Sequence, residues 1–170
     1  MALVVIALGS NIAPEHNLPR AMRSLKDMAG RPLKVSQVYE TPPVGSPGSP
    51  WFLNAAVLLE THRALPGLRM VLRRIEAQLG RIRTQDPNAP RTIDLDPVLW
   101  RDDPEGPVQV LAMKDLLQYA HVVVPVAEVA ADWPFQGQPL RQWAQRFHTQ
   151  ARGFRTRPEI QALLARWVVS

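Results

Sequence analysis

Residues 3–8, Leu-Val-Val-Ile-Ala-Leu, form an unbroken apolar run that stops at Gly9-Ser10-Asn11. A run of strand length without a polar residue suits a central strand buried on both faces. That strand needs partners, and the following segments supply them. Leu33, Val35, Gln37 and Tyr39 alternate with Lys34, Ser36, Val38 and Glu40, the period of a second strand over 33–40. From Thr41 to Trp51 there are four prolines and two glycines. Such a stretch is neither helix nor sheet interior, and it reads as a long, shaped loop. It delivers the chain to a third strand over 52–61.

Two helices separate these strands. Leu18, Met22, Leu25 and Ala29 share one face, with Asn17 as the expected N-cap, Pro19 in the first turn and Gly30 as terminator. Leu65, Leu68, Leu72, Ile75 and Leu79 form the stripe of a helix over 66–79, capped by Gly80. Its other face shows Arg69, Arg73, Arg74 and Glu76, and an Arg73–Glu76 contact within the helix is expected. Pro97 implies an edge position or the end of pairing in the strand that follows. Residues 101–106 read as a turn and 108–111 as a short strand. Residues 114–121 read as irregular and 126–131 as a helical turn; further helices are expected at 140–147 and 158–167. Arg152, Arg155 and Arg157 make a basic connector before the last helix. The order βαββαβ points to an α+β, ferredoxin-like sandwich in a single domain, 1–170, its antiparallel or mixed sheet flanked by helices, with extra C-terminal helices.

The chemistry concentrates in Pro90-Arg91-Thr92-Ile93-Asp94-Leu95-Asp96. In a strand, Ile93 and Leu95 face one way while Asp94 and Asp96 face the other. Two acids at i and i+2, roughly 6.5 Å apart, can converge on a divalent cation. Arginines at 81, 83 and 91 suit the phosphates that Mg²⁺ usually accompanies. A bare Asp-x-Asp equally fits a half-buried strand with an acidic outer face. Phe52 and Asn54 share a face, an aromatic plate beside an amide that can read the edge of a flat heterocycle. The same pair also fits a core aromatic with an Asn closing a turn. Gly9-Ser10-Asn11 lacks phosphate-loop spacing, and its glycine reads as tight-turn chemistry.

Composition excludes several classes. A length of 170 residues, 46% of them hydrophobic, suits one folded domain, and the absence of cysteine excludes disulfides and thiolate metal sites. No apolar run reaches the roughly 20 residues that span a bilayer, and the N-terminus lacks a charged leader, so a soluble cytoplasmic protein without membrane contact is expected. Net charge is +5, and of the 20 basic residues three are lysines (26, 34 and 114), leaving 17 arginines. That balance allows nucleotide or nucleic-acid partners. The lack of an aromatic-rich strand signature ranks an RNA-binding module low.

Laid end to end, Ala7 to Asn11, Tyr39 to Pro43, Phe52 to Val57, Ile75-Glu76 with Gly80 to Arg83, and Pro90 to Asp96 resemble the 6-hydroxymethyl-7,8-dihydropterin pyrophosphokinase family of folate biosynthesis. The resemblance covers residues 3–100. It implies transfer of pyrophosphate from ATP to a pterin alcohol, with AMP released and two Mg²⁺ ions held by Asp94 and Asp96. Arg81 and Arg91 would be catalytic, while Arg73, Glu76, Arg83 and Arg91 would meet ATP under a closing loop at 84–89. The pterin would lie against Phe52, be read by Asn54, and be walled by Thr41, Pro42, Pro43 and Val44. The small-molecule substrates would be ATP and hydroxymethyldihydropterin, and a monomer is expected. Beyond residue 100 the chain departs from the family pattern: Ala112-Met113 stand where a Pro-His pair is usual, Tyr119 for an arginine, and His121 for the second aromatic plate. A paralogue with a different heterocyclic alcohol or without turnover is the alternative.

Overall fold

The computed structural model describes residues 1–45, 48–82, 84–86 and 89–169. Strand β1 (Ala2–Ser10) lies inside an antiparallel sheet, between β4 (Phe52–Thr61) and β5 (Asp94–Arg101). Beyond β4 come β3 (Tyr39–Thr41) and, at the edge, a two-residue strand, Arg155–Thr156; β2 (Arg31–Val35) also pairs with β4, and β6 (Val108–Val110) extends the other side through β5. The apolar run divides the core in two. Val4, Ile6 and Leu8 join a cluster with α1 (Pro14–Met28) and α2 (Leu65–Gln78), whereas Val5 faces a second cluster formed with α3 (Met113–Gln118) and α4 (Ala120–Val129). Helices therefore cover both faces of the sheet, and residues 113–147 supply the second layer. Among the described residues no helix is long and apolar enough to cross a membrane.

Several expectations need correction. Helix α1 begins at Pro14, after Ala13 in a left-handed conformation with φ 42°. Asn17 is inside the helix and buried, donating from Nδ2 to Ile12 O at 2.6 Å, and Pro19 falls one turn later than expected. The strand read over 33–40 is two strands. Ser36 interrupts it by using its hydroxyl as an acceptor for Ala56 N–H, 2.8 Å, while its own N–H donates to Ala56 O. Of the two readings of Pro97 the edge position holds, and strand β5 does not end there. The chain runs on to Arg101 through a register shift opposite Val5 and Ile6, and Pro97 lies in the half of β5 that β6 does not reach. Residues 114–121, read as irregular, belong to two helices, α3 and α4, that part at Tyr119, and the helical turn expected at 126–131 is the end of α4, which stops at Val129. Val122 to Val124 and Pro125 are poor helix formers, and burial of Val122, Val123, Val126 and Val129 on the sheet overrides that propensity. Residues 140–147 divide into one α-turn, α5 (Leu140–Trp143), and a 3₁₀ turn, Ala144–Phe147, ahead of α6 (Pro158–Ala165).

Ser36→Ala leaves the buried Ala56 N–H without its acceptor and should cost about 1–3 kcal/mol. Urea unfolding measures this, and a loss below about 0.5 kcal/mol would show that water replaces the hydroxyl.

Candidate active site

The register of three strands assembles the site. Gly9 of β1 is paired with Asn54 of β4 on one side and with Asp94 of β5 on the other. Gly9 is thus a strand residue and not the turn glycine expected. A Cβ there would stand 2.9 Å from Asn54 Oδ1 and 3.8 Å from Phe52 Cδ1, so its missing side chain makes room for both. Two residues on, Asn11 is buried and binds neighbouring loops. Its Oδ1 accepts from Arg91 N–H at 2.8 Å, its own N–H donates to Arg91 O at 3.2 Å, and its Nδ2 donates to Pro50 O at 3.4 Å. Sequence reading missed this role; the available signal was a polar residue directly after a fully buried strand.

Two cavities meet at β5. The first, ≈ 350 Å³, has Thr41, Pro42, Pro43, Val44, Phe52 and Asn54 on one wall. Asp94 and Asp96 line it too, and Lys114, Tyr119 and His121 come from α3, α4 and their junction. The second, ≈ 390 Å³, is lined by Arg81, Ile82, Thr84 to Asp86 and Ala89 to Arg91, and it shares Arg91 and Asp94 with the first. Arg83, and residues 87 and 88 of the loop expected to close over ATP, lie outside the described residues, as do Ser46 and Pro47. Within the first cavity Asn54 Nδ2 donates to Thr41 Oγ1 at 2.6 Å. The Phe52 ring lies 5.9 Å from the Arg91 guanidinium, and Tyr119 stacks on His121 with centroids 5.3 Å apart. Burial pushes the His121 imidazole below the ordinary histidine range, with Asp94 pulling the other way.

Beneath the cavities the charges are locked together. Glu76 is only 2% exposed. It accepts from Arg73 Nη1 at 2.7 and 2.8 Å, from Arg81 Nη1 at 3.0 Å, and from the backbone N–H of Leu95 at 2.8 Å. The expected Arg73–Glu76 contact is present as part of this larger network. Arg81 Nη1 also donates to Asp94 Oδ1 at 2.8 Å, Arg91 Nη1 donates to Asp94 Oδ2 at 3.4 Å, and Arg73 Nη2 lies 3.6 Å from Asp96 Oδ1. Ile93 and Leu95 are fully buried on the opposite face, so the alternation read from the sequence is present. Glu76 sits behind the carboxylates as an anchor and lines neither cavity.

Asp96 is pushed up to about 7, first by burial and then by Asp94 beside it. Among the described residues no group of three His, Asp or Glu side chains converges as a cation site. The donor set is two carboxylates on one face, one of them held above its usual range by burial and by the other. That suits a hard divalent cation whose remaining ligands are phosphate and water, which is how Mg²⁺ is commonly bound beside nucleotides.

Residues 5–131 match the model of the 7,8-dihydro-6-hydroxymethylpterin-pyrophosphokinase family. The chain belongs to this family. It is 36% identical over 145 residues, 84% of this chain and 91% of the relative, to the 2-amino-4-hydroxy-6-hydroxymethyldihydropteridine pyrophosphokinase of Methylorubrum extorquens. The Bacillus subtilis protein of that name is 36% identical over 130 residues, 75% of this chain and 77% of the relative. In solved structures the same fold occurs in Plasmodium falciparum HPPK-DHPS, at a TM-score of 0.69 and 10% identity, covering 89% of this chain and 46% of that one. As a member of a family of pyrophosphokinases of folate biosynthesis, the chain is an enzyme, a diphosphotransferase.

The raised carboxyl of Asp96 carries a sign. Its folded value lies above the unfolded 3.8, so what it contributes to stability is present below about pH 4 and is lost as pH rises towards 7. Without divalent cations, Asp96→Asn should therefore gain in Tm relative to the parent as pH rises from about 4 to about 7. Thermal melts across that window test this, and parallel Tm curves would contradict it.

Proposed function

We propose that this protein transfers the pyrophosphoryl group of ATP to the hydroxymethyl oxygen of 6-hydroxymethyl-7,8-dihydropterin, with AMP as the leaving group, in a Mg²⁺-dependent reaction. The observation that carries the reading is the pair of cavities sharing Arg91 and Asp94. Two substrates placed in them would meet at β5, which converts a bimolecular encounter into a positioned one.

In this reading the pterin enters the first cavity. Phe52 and an uncharged His121 supply faces for its ring, and the prolines at 42 and 43 stiffen the wall. Asn54 spends one amide hydrogen on Thr41 and keeps its carbonyl oxygen and a second hydrogen for the ring edge. The triphosphate occupies the second cavity, where Arg91 neutralises its charge. Arg73 and Arg81 hold the carboxylates in place from behind, each anchored on Glu76. Asp94 and Asp96 would hold two Mg²⁺ ions, which when bound neutralise the phosphates and polarise the alcohol oxygen. Exclusion of water by the two loops favours transfer to the alcohol over hydrolysis. The strand and helix order β1, α1, β2, β4, α2, β5 is read as a ferredoxin-like core within one domain.

Incubation of the purified protein with Mg-ATP and the hydroxymethyl pterin should release AMP and pyrophosphorylated pterin in equal amounts. Asp94→Ala and Asp96→Ala should each lower the rate by about a thousandfold. AMP release by either variant at the parental rate, or none from the parent, would contradict the proposal. ATP turnover with a larger heterocyclic alcohol instead would favour the paralogue reading, which the small His121 plate motivates.

A further inference from the structure

The family match ends at residue 131, yet a segment well beyond it is built against the strand that leads into the wall of the first cavity. Residues Arg155–Thr156, β9 once the short hairpin strands β7 (Pro134–Phe135) and β8 (Gln138–Pro139) are counted, pair antiparallel with β3 as Tyr39↔Thr156 and Glu40↔Arg155. Strand β3 is only three residues long and leads directly into Pro42, Pro43 and Val44 of the cavity wall. Its inner edge pairs with β4, closing the base of the loop at Thr41↔Phe52. A strand so short, paired on one side alone, is a weak support.

The segment supplies the second side and more. Arg157 N–H donates to Val38 O at 2.8 Å, one residue before β3. Phe154 packs against Tyr39 with ring centroids 6.2 Å apart. Arg157 Nη1 lies 3.7 Å from Glu40 Oε2 and 3.5 Å from Glu15 Oε1, and Arg157 Nε donates to Glu159 at 2.6 Å, linking the segment to β3, α1 and α6. The Arg155 guanidinium lies 5.9 Å from the ring of Trp51, the last loop residue before the Phe52 plate. Exposed ion pairs of this kind contribute little singly. The backbone pairing and the cation over the indole act on the loop's two stems together.

We propose that residues 154–157 are a positioning element for the heterocycle loop, so that affinity for the ring in this chain depends on a C-terminal segment outside the family match. The inference rests on the proposed pterin reading for the ligand's identity, and on geometry alone for the loop. Arg155 and Thr156 touch neither substrate pocket; they act through β3 and Trp51.

The test uses the full chain with Arg155→Ala, Arg155→Lys and Thr156→Pro, the last removing a backbone donor from β9. Hydrogen exchange without substrate should speed up over 39–54 in Arg155→Ala and Thr156→Pro and stay unchanged over 65–78. The KM for the pterin should rise about three- to fivefold in Arg155→Ala, with kcat and the KM for ATP little changed, and Arg155→Lys should restore it because the cation over the indole returns. Parental exchange over 39–54 in both disruptive variants would overturn the proposal. So would a uniform fall in kcat with both KM values raised, the mark of general destabilisation. A parent that turns over no pterin would overturn the pterin reading, while the exchange result still decides the positioning role.

Discussion

A carboxylate cannot stay ionised in a protein interior unless its charge is paired and its oxygens are bonded, and Glu76 at the end of α2 meets that demand with two arginines and the N–H of Leu95. The remainder of the site follows from this one interaction. Leu95 lies between the two aspartates, so fixing its N–H fixes the pitch of β5 at Asp94 and Asp96. Arg73 and Arg81, held at one end by Glu76, are aimed at Asp96 and Asp94 respectively. Three acids and three arginines, Arg91 included, thus interlock beneath two cavities. At Asp96 burial and the neighbouring Asp94 outweigh the pull of Arg73, so its carboxyl is held above the usual range, and a divalent cation beside the pair would relieve that.

The sheet supplies what the ion network cannot, the adjacency of the two pockets. Gly9 sets β4 and β5 on either side of β1 with Asn54 and Asp94 level, and the absence of a Cβ there lets the amide approach the strand. Asn11 then ties residue 91 and Pro50 to the end of the same strand. The walls of the two cavities are therefore referenced to one strand.

Much of this was legible in the residues. An all-apolar hexapeptide left no choice but a doubly covered strand, and period-two alternation placed Asp94 and Asp96 on the face away from Ile93 and Leu95. Phe52 and Asn54 proved to share a cavity wall, as their spacing implied. Less accessible was anything decided by tertiary contact. The valine-rich segment 122–126 has poor helix propensity and is helical because the sheet's second face needs cover. Glu76 reads as a surface residue of an arginine-rich helix face, and only the approach of β5 buries it. Gly9 reads as a turn because its reason for being glycine lies on another strand. The pairing of Arg155–Thr156 with β3 joins residues more than a hundred positions apart and leaves no local signature.

The most direct measurement is the Mg-ATP affinity of Glu76→Gln, a change that keeps the side chain's shape and removes the charge on which Arg73 and Arg81 converge. Titration calorimetry on the variant, with circular dichroism to establish its fold, should show Mg-ATP binding weakened at least about tenfold and pterin binding altered by less than about twofold. A folded Glu76→Gln protein that binds Mg-ATP as tightly as the parent would contradict the role given to the buried carboxylate.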